Sequence, residues 1–449
     1  MLRFSYHNLE EIREDLEQKH IPLPVSEDLS VLSGRHTLYG RQIPNSLAIH
    51  PMEGCDAEAD GSPSQLLKRR YLRFVRGGAG LLWIEACAVE EGGRANPRQL
   101  WIREENKEAF RCLVKNIRQA AQKEGLSDPF LVLQLTHSGR YCKPGKDFPA
   151  VIAAENPYLD RFLPKRYHVI TDEELDRLQY SYVKAAQLAA WAGFDAVDIK
   201  ACHRYLVSEL LSSHTRSGRY GGNFNGRTRF LLEVVEKVKE TVPEIGLASR
   251  MNAFDEIPYP YGFGVKKDDF RQPDFSEAIK LSEILYEKGV RLLNITGGNP
   301  YYNPHINRPA DTGVYAAPIP QIHNVYKLLS GAKAIKNAVP GMTVIGTGLS
   351  WMREFGANIA AGCIQNSWFD IAGFGRQAFA YPDFARDILK HGKMLRQKCC
   401  IACSKCTIIM RNGGKTGCVV RDSEIYAPIY REGRSGKPSI TTNEEKEHL

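Results

Sequence analysis

Three side chains able to hold or give a proton crowd the run Ile199-Lys200-Ala201-Cys202-His203-Arg204-Tyr205: the Lys200 ammonium, the His203 imidazole and the Tyr205 phenol. Reduction of a C=C bond conjugated to a carbonyl is a reaction that can use that combination. A hydride arriving at the β-carbon drives negative charge onto the carbonyl oxygen, where His203 or Lys200 can meet it. The α-carbon then needs a proton, which Tyr205 can give. Packing of His203 and Tyr205 against a following helix accounts for the same residues equally well.

The second group is made of cysteines. Five of the eleven fall between Cys399 and Cys418, and four are spaced Cys400-x2-Cys403-x2-Cys406-x11-Cys418. Three thiols close together and one returning from a loop are a common way to hold a cubane iron–sulfur cluster. A four-cysteine zinc site more often has two well-separated pairs, and unliganded thiols remain a third reading. Cys399 is the spare, able to replace Cys400 with a one-residue change of spacing.

Elements must bring these groups into place. Eight short apolar runs recur along the chain: Leu47–His50, Gly80–Ala88, Phe130–Leu135, Ala196–Ile199, Gly246–Arg250, Leu292–Ile295, Thr343–Gly346 and Ile371–Gly373. Most are continuous rather than alternating, as parallel strands covered on both faces should be. Helical patterns separate them. Thr171-x-x-Glu174 is a capping box that opens a helix ending near Gly193, and residues 227–239 and 274–288 form two more. The pattern predicts an α/β protein, a (β/α)8 TIM barrel followed by a C-terminal iron–sulfur-binding segment. A doubly wound sheet would place a Gly-x-Gly-x-x-Gly turn after the first strand, where this chain has His50-Pro51-Met52-Glu53-Gly54. The expected organisation is an N-terminal extension over 1–40, the barrel over 41–395, and the cysteine segment with a polar tail over 396–449.

Bulk properties narrow the rest. The 449 residues exceed the roughly 250 of a bare barrel, and 43% hydrophobic with 25% charged residues is ordinary for a globular protein. A formal charge of +8 comes from basic residues scattered among 52 acids, without the basic arm of a nucleic-acid binder. No apolar run approaches the roughly 20 residues of a membrane span. The first residues lack the apolar core of a secretory signal, so a cytoplasmic location is expected.

The segment from Gly193 to Leu206, the run Ser208-Glu209-Leu210-Leu211-Ser212, then Tyr220-Gly221-Gly222 and Arg227-x-Arg229-Phe230 resemble the Old Yellow Enzyme family. So do Pro51-Met52, Glu85-Ala86, Gln134-x-x-His137-x-Gly139-Arg140, Arg250, Gly346-Thr347-Gly348 and Gly373-Phe374-Gly375-Arg376. The cysteine spacing is similar to that of the family's iron–sulfur branch, which includes dienoyl-CoA reductases and trimethylamine dehydrogenase. The resemblance implies non-covalent FMN, NAD(P)H as electron donor, and a [4Fe-4S] cluster on Cys400, Cys403, Cys406 and Cys418. It implies that Pro51, Met52 and Ala86 lie against the isoalloxazine and that Gln134 bonds its pyrimidine edge. Arg250 would face N1 and O2, while Gly348, Gly375 and Arg376 would hold the phosphate. The implied activity is ene reduction, with Tyr205 as acid and His203 and Lys200 polarising the carbonyl. The alternative is amine oxidation with electrons leaving to a partner.

The chain departs from the family at Lys200 (usually His), Arg204 (usually Gly) and Gly226 (usually Asn). Lys200 and Arg204 add positive charge, so an anionic unsaturated carbonyl substrate is expected. Relatives in that branch continue into a nucleotide-binding module. The expectation here is either a separate electron-transfer protein or hydride taken directly from NAD(P)H. Should Tyr205 not be the acid, a tyrosine of the loop Pro258-Tyr259-Pro260-Tyr261 is the expected substitute.

Overall fold

The computed structural model describes residues 3–145, 147–312 and 317–435. Eight parallel strands close on themselves: β1 (Leu47–Ile49), β2 (Leu81–Ala88), β3 (Phe130–Thr136), β4 (Ala196–Ile199), β5 (Gly246–Phe254), β6 (Leu292–Gly297), β7 (Thr343–Gly346) and β8 (Ile371–Phe374). Neighbours pair in chain order. Closure comes from β8 against β1 (Ala372 opposite Leu47) and β1 against β2 (Ala48 opposite Leu81). All eight apolar runs of the sequence are strands of this barrel, and all but one of their residues in β7 are buried.

Helices α1 (Gln65–Arg76), α2 (Lys107–Lys123), α3 (Asp172–Ala192), α4 (Phe224–Thr241), α5 (Ser276–Glu287), α6 (Gln321–Ala338), α7 (Gly356–Gln365) and α8 (Phe384–His391) follow the strands and cover the barrel. The fold is a (β/α)8 TIM barrel. The limits of α3 arise as the sequence dictates. Thr171 Oγ1 accepts from Glu174 N, the Glu174 carboxylate accepts from Thr171 N, and Gly193 stops the helix in the left-handed region at φ 92°. Helix α4 starts three residues earlier than its apolar pattern does, because the Asn223 side chain caps it.

The floor of the barrel was not anticipated. His36–Leu38 and Arg41–Ile43 form an antiparallel hairpin, turned by Tyr39 and Gly40 at φ 49° and 71°. Leu38 and Ile43 pack with Ala48, Leu81, Phe130, Ala196, Ala248, Leu292, Ile345 and Ile371, near the N-terminal ends of the strands. Tyr39 ties the plug in place: its hydroxyl donates to Leu247 O (2.5 Å) and accepts from Arg291 N (2.8 Å). The hairpin straddles residue 40, so chain on both sides of that position belongs to the floor.

Among the described residues no helix is long and apolar enough to cross a membrane. After α8 the chain returns over the top of the barrel as the cysteine loop, then α9 (Lys405–Arg411) and α10 (Ser423–Ser435). Arg69 and Arg73 of α1 both bond Asp422 and hold this segment down, and Gly54 O accepts from Thr416 N (2.6 Å).

Candidate active site and cysteine pocket

The C-terminal ends of the strands surround a cavity that opens to solvent. Its wall contains Lys200, His203 and Tyr205 together with Pro51, Met52, Ala86, Gln134, Arg250, Gly348, Gly375 and Arg376. Residues drawn from or just after seven of the eight strands therefore share one space, at the face where barrels of this kind carry their chemistry.

The end of β4 is strained. His203 and Arg204 stand at φ 65° and 59°, a conformation that costs side-chain-bearing residues on the order of 1–3 kcal/mol each. That turn lets Lys200, His203 and Tyr205 all face the cavity. Arg204 does not. Its guanidinium is buried, pairs with Asp255 at 3.1 Å and bonds Ser212. The expectation that Arg204 adds charge to the substrate site is thus corrected: a buried carboxylate neutralises it, and it ties the end of β4 to the loop after β5. Burial pushes the Asp255 carboxyl up to about 6, and the Arg204 charge works against that rise.

Among the described residues no carboxylate pairs with Lys200. Its Nζ lies 3.7 Å from the centre of the Tyr205 ring. Burial, foremost, pulls this ammonium below its ordinary range. His203 Nε2 lies 2.9 Å from Asn307 Nδ2, and burial beside Arg250, Lys200 and Arg308 holds the imidazole neutral, well below its usual range. The Tyr205 hydroxyl meets that of Tyr301 at 3.3 Å, and burial raises it well above a free phenol. Gln134 Nε2 donates to Asp198 (2.6 Å), a buried carboxylate that also accepts from Trp83 Nε1 (2.9 Å) and Arg250 N (2.7 Å). The Gln134 amide oxygen is left as an acceptor.

The cavity fits a flavin nucleotide. Among the described residues Arg250 Nε and Arg376 Nη1 are buried without hydrogen-bond partners, so two cationic donors stand ready for anionic groups. Gly348 adopts φ 102°, and a Cβ on Gly375 would come within 2.8 Å of Met52 Sδ. Both positions bring bare backbone to the wall.

Residues that sequence reasoning passed over also line the cavity. Glu53, after β1, accepts from Asn96 Nδ2 (2.8 Å) and is the one acid among the lining residues. Tyr301, Asn307 and Arg308 come from the loop after β6. The signal for that loop was the polar and aromatic run Gly297-Gly298-Asn299-Pro300-Tyr301-Tyr302-Asn303 directly after a strand. The loop Pro258-Tyr259-Pro260-Tyr261 contributes no tyrosine to the cavity. Tyr259 is 41% exposed, and Tyr261 packs on Tyr158.

A second, smaller pocket adjoins the first, and Cys399, Cys400, Cys403, Cys406 and Cys418 line it together. Cys406 and Arg376 belong to both walls. Ala402 and Ser404 stand at φ 51° and 56°, bending the chain between the thiols. Ala402 N donates to Cys400 Sγ (3.4 Å) and Arg421 N to Cys418 Sγ (3.3 Å). Cys399 Sγ is instead held by Gln377 Nε2 (3.2 Å) and donates to Leu395 O (3.5 Å). Among the described residues no three Cys, His, Asp or Glu side chains converge closely enough to hold a single metal ion.

Fold and cavity together define a barrel whose catalytic face is built to receive an anionic nucleotide cofactor. Residues 38–394 match the NADH:flavin oxidoreductase / NADH oxidase family, and the chain belongs to that family of flavin-dependent oxidoreductases. It is 28% identical over 367 residues to an NADH oxidase of Thermoanaerobacter brockii, a match covering 81% of this chain and 51% of that protein. The chain thus spans about half the length of that relative. The structure of a 2-naphthoyl-CoA reductase in complex with 2-naphthoyl-CoA superposes with a TM-score of 0.71 at 18% identity, over 90% of this chain and 58% of that one. Histamine dehydrogenase from Rhizobium sp. 4-9 gives 0.66 at 18% identity, over 87% and 52%. At these identities the two likenesses are likenesses of fold.

Proposed function

We propose that the protein is an FMN-dependent ene-reductase acting on a C=C bond conjugated to a carbonyl. The observation that carries this reading is the placement of Lys200 Nζ on the face of Tyr205, inside the cavity that Arg250 and Arg376 also line. Amine oxidation, the alternative, asks for an aromatic face open to a cationic substrate. Here the protein's own ammonium occupies that face, and it would repel a second cation. The same ammonium lowers the cost of the phenolate that remains once Tyr205 has given up its proton.

FMN would be held by Pro51, Met52, Ala86, Gln134, Arg250, Gly348, Gly375 and Arg376. When bound and reduced by NAD(P)H, it supplies the hydride. Gln134 offers its oxygen to a ring N–H, and Arg250 places positive charge where the reduced ring is anionic. Neutral His203, with Asn307 donating to Nε2, carries its proton on Nδ1 and can donate to the substrate oxygen as charge develops there. Tyr205 gives the α-carbon its proton. Lys200 and Arg308 outweigh Glu53, so a substrate bearing a carboxylate or similar anion suits the remaining space.

Cys400, Cys403, Cys406 and Cys418 would hold a [4Fe-4S] cluster. Their shared pocket supports this, as do the N–H groups turned on two of the sulfurs. A cubane seats each thiolate on its own iron, so it does not need the tight convergence that one zinc ion imposes with bonds of about 2.3 Å. Cys406, which lines both pockets, would set such a cluster beside the flavin cavity, where it would supply one-electron exchange with a separate protein.

The test is spectroscopic. Anaerobically purified protein should show flavin bands over a broad iron–sulfur shoulder, bleach with NAD(P)H, and regain the flavin bands on adding an α,β-unsaturated carbonyl compound. Tyr205→Phe should keep both chromophores and reoxidise on the order of 10²-fold more slowly. Flavin bleached by an amine and indifferent to every enone would overturn the reading.

A further inference from the structure

Tyr205 cannot act twice without a new proton, and the structure shows where one can come from. Its side chain is 4% exposed, and among the described residues its hydroxyl has one hydrogen-bond partner, the hydroxyl of Tyr301 at 3.3 Å. The Lys200 ammonium lies over the face of the ring, 3.7 Å from its centre, and among the described residues it makes no hydrogen bond to the Tyr205 oxygen. Tyr301 is held for the purpose. Its ring stacks on Tyr141 with centres 3.8 Å apart and planes at 23°. Buried Asn299 clamps both: its Oδ1 accepts from Tyr301 N (2.8 Å), and its Nδ2 donates to the Tyr141 hydroxyl (2.9 Å). Tyr301 is also the more open of the two partners, being half-buried where Tyr205 is buried.

We propose that Tyr301 is a relay residue that returns a proton to Tyr205 after each turnover. This rests on the ene-reductase reading and adds a residue to it. The hydride from the reduced flavin carries two electrons to the β-carbon. The Tyr205 O–H bond breaks as the α-carbon C–H bond forms, leaving a phenolate under the Lys200 ammonium. The Tyr301 O–H proton passes across the 3.3 Å contact, and Tyr301 takes its replacement from solvent. Nothing beyond reduced flavin, substrate and one solvent proton is consumed. The arrangement makes the second proton transfer an event of the protein rather than of water entering an emptied cavity.

The experiment uses Tyr301→Phe, which keeps the stacked ring and removes only the hydroxyl. With NAD(P)H in excess and an enone that the wild type reduces, rapid mixing should show a burst of one product per flavin at the wild-type rate. A steady phase roughly tenfold or more slower should follow, with an enlarged solvent deuterium effect on that phase alone. A variant whose first turnover slows as much as later ones would mean that Tyr301 merely positions Tyr205. A variant without a slow phase would mean that water does the work. Either result overturns the relay while leaving the ene-reductase reading intact. If the wild type itself reduces no enone, both fall together. Should the variant fail to fold, the wild type's steady-state rate in H2O/D2O mixtures decides: a bowed dependence, two protons in motion, supports the relay, and a straight line overturns it.

Discussion

Arg250 stands in the cavity wall at the middle of β5, and among the described residues no carboxylate pairs with its side chain. A buried guanidinium left alone costs desolvation without return unless a ligand anion completes it. A hydrogen bond to a charged group contributes roughly 1.5–3 kcal/mol, so Arg250→Ala should weaken FMN binding by about tenfold to a hundredfold. Whatever flavin it retains should have a lower reduction potential, since the anionic reduced ring loses its partner. Fluorescence titration of FMN into the apoprotein and a dye-coupled potential measure the two effects. Full occupancy at an unchanged potential would place the anionic edge of the flavin elsewhere. Arg204, one residue before Tyr205, shows the opposite outcome of the same chemistry. Asp255 completes it, and its charge never reaches the substrate. Two arginines near strand ends looked alike as sequence, because what separates them is a carboxylate brought in by another loop.

At the scale of elements, the cysteine loop illustrates what spacing can and cannot decide. Cys399 and Cys400 are adjacent and interchangeable on paper. In the fold, Cys399 turns toward Gln377 and Leu395 and finds its hydrogen bonds within the protein. Cys400 receives the Ala402 amide beside the other thiols. Cys400→Ser should therefore abolish most of the iron and acid-labile sulfide, and Cys399→Ser should keep about the full complement. Equal losses from both would show that the two thiols exchange roles. The strands and α3 were legible in advance because continuous apolar runs, a capping box and Gly193 are local features. Lys200, His203 and Tyr205 were legible too, since they leave a single strand end. Glu53 and Tyr301 were not. Each is unremarkable in its own loop, and only barrel closure, which sets β1 and β6 around the same mouth as β4, brings them beside Tyr205. The hairpin of the floor escaped for a related reason: His36–Leu38 and Arg41–Ile43 are three residues each, too short for a period to show.

The whole molecule divides its labour between its two ends, and the division can be measured. Every candidate for chemistry lies at the C-terminal mouth, under the cysteine segment that α1 holds down through Asp422. The other end is closed by Leu38 and Ile43, which pack with apolar side chains near the starts of the strands. In barrels, residues at that end carry stability and residues at the mouth carry function. Ile43 is completely buried, and truncating a buried isoleucine costs about 2–5 kcal/mol, through lost burial and the cavity left behind. Ile43→Ala should accordingly unfold at a clearly lower urea concentration while keeping its FMN affinity and its turnover at saturating substrate. Tyr205→Phe should do the reverse, holding the urea midpoint and losing turnover. The comparison is decisive because both side chains are buried and both lie in the same barrel, yet only one meets the cavity. If Ile43→Ala loses turnover in proportion to stability at temperatures where it remains folded, the floor must be coupled to the strand ends, and the hairpin would be part of the active machinery rather than its foundation.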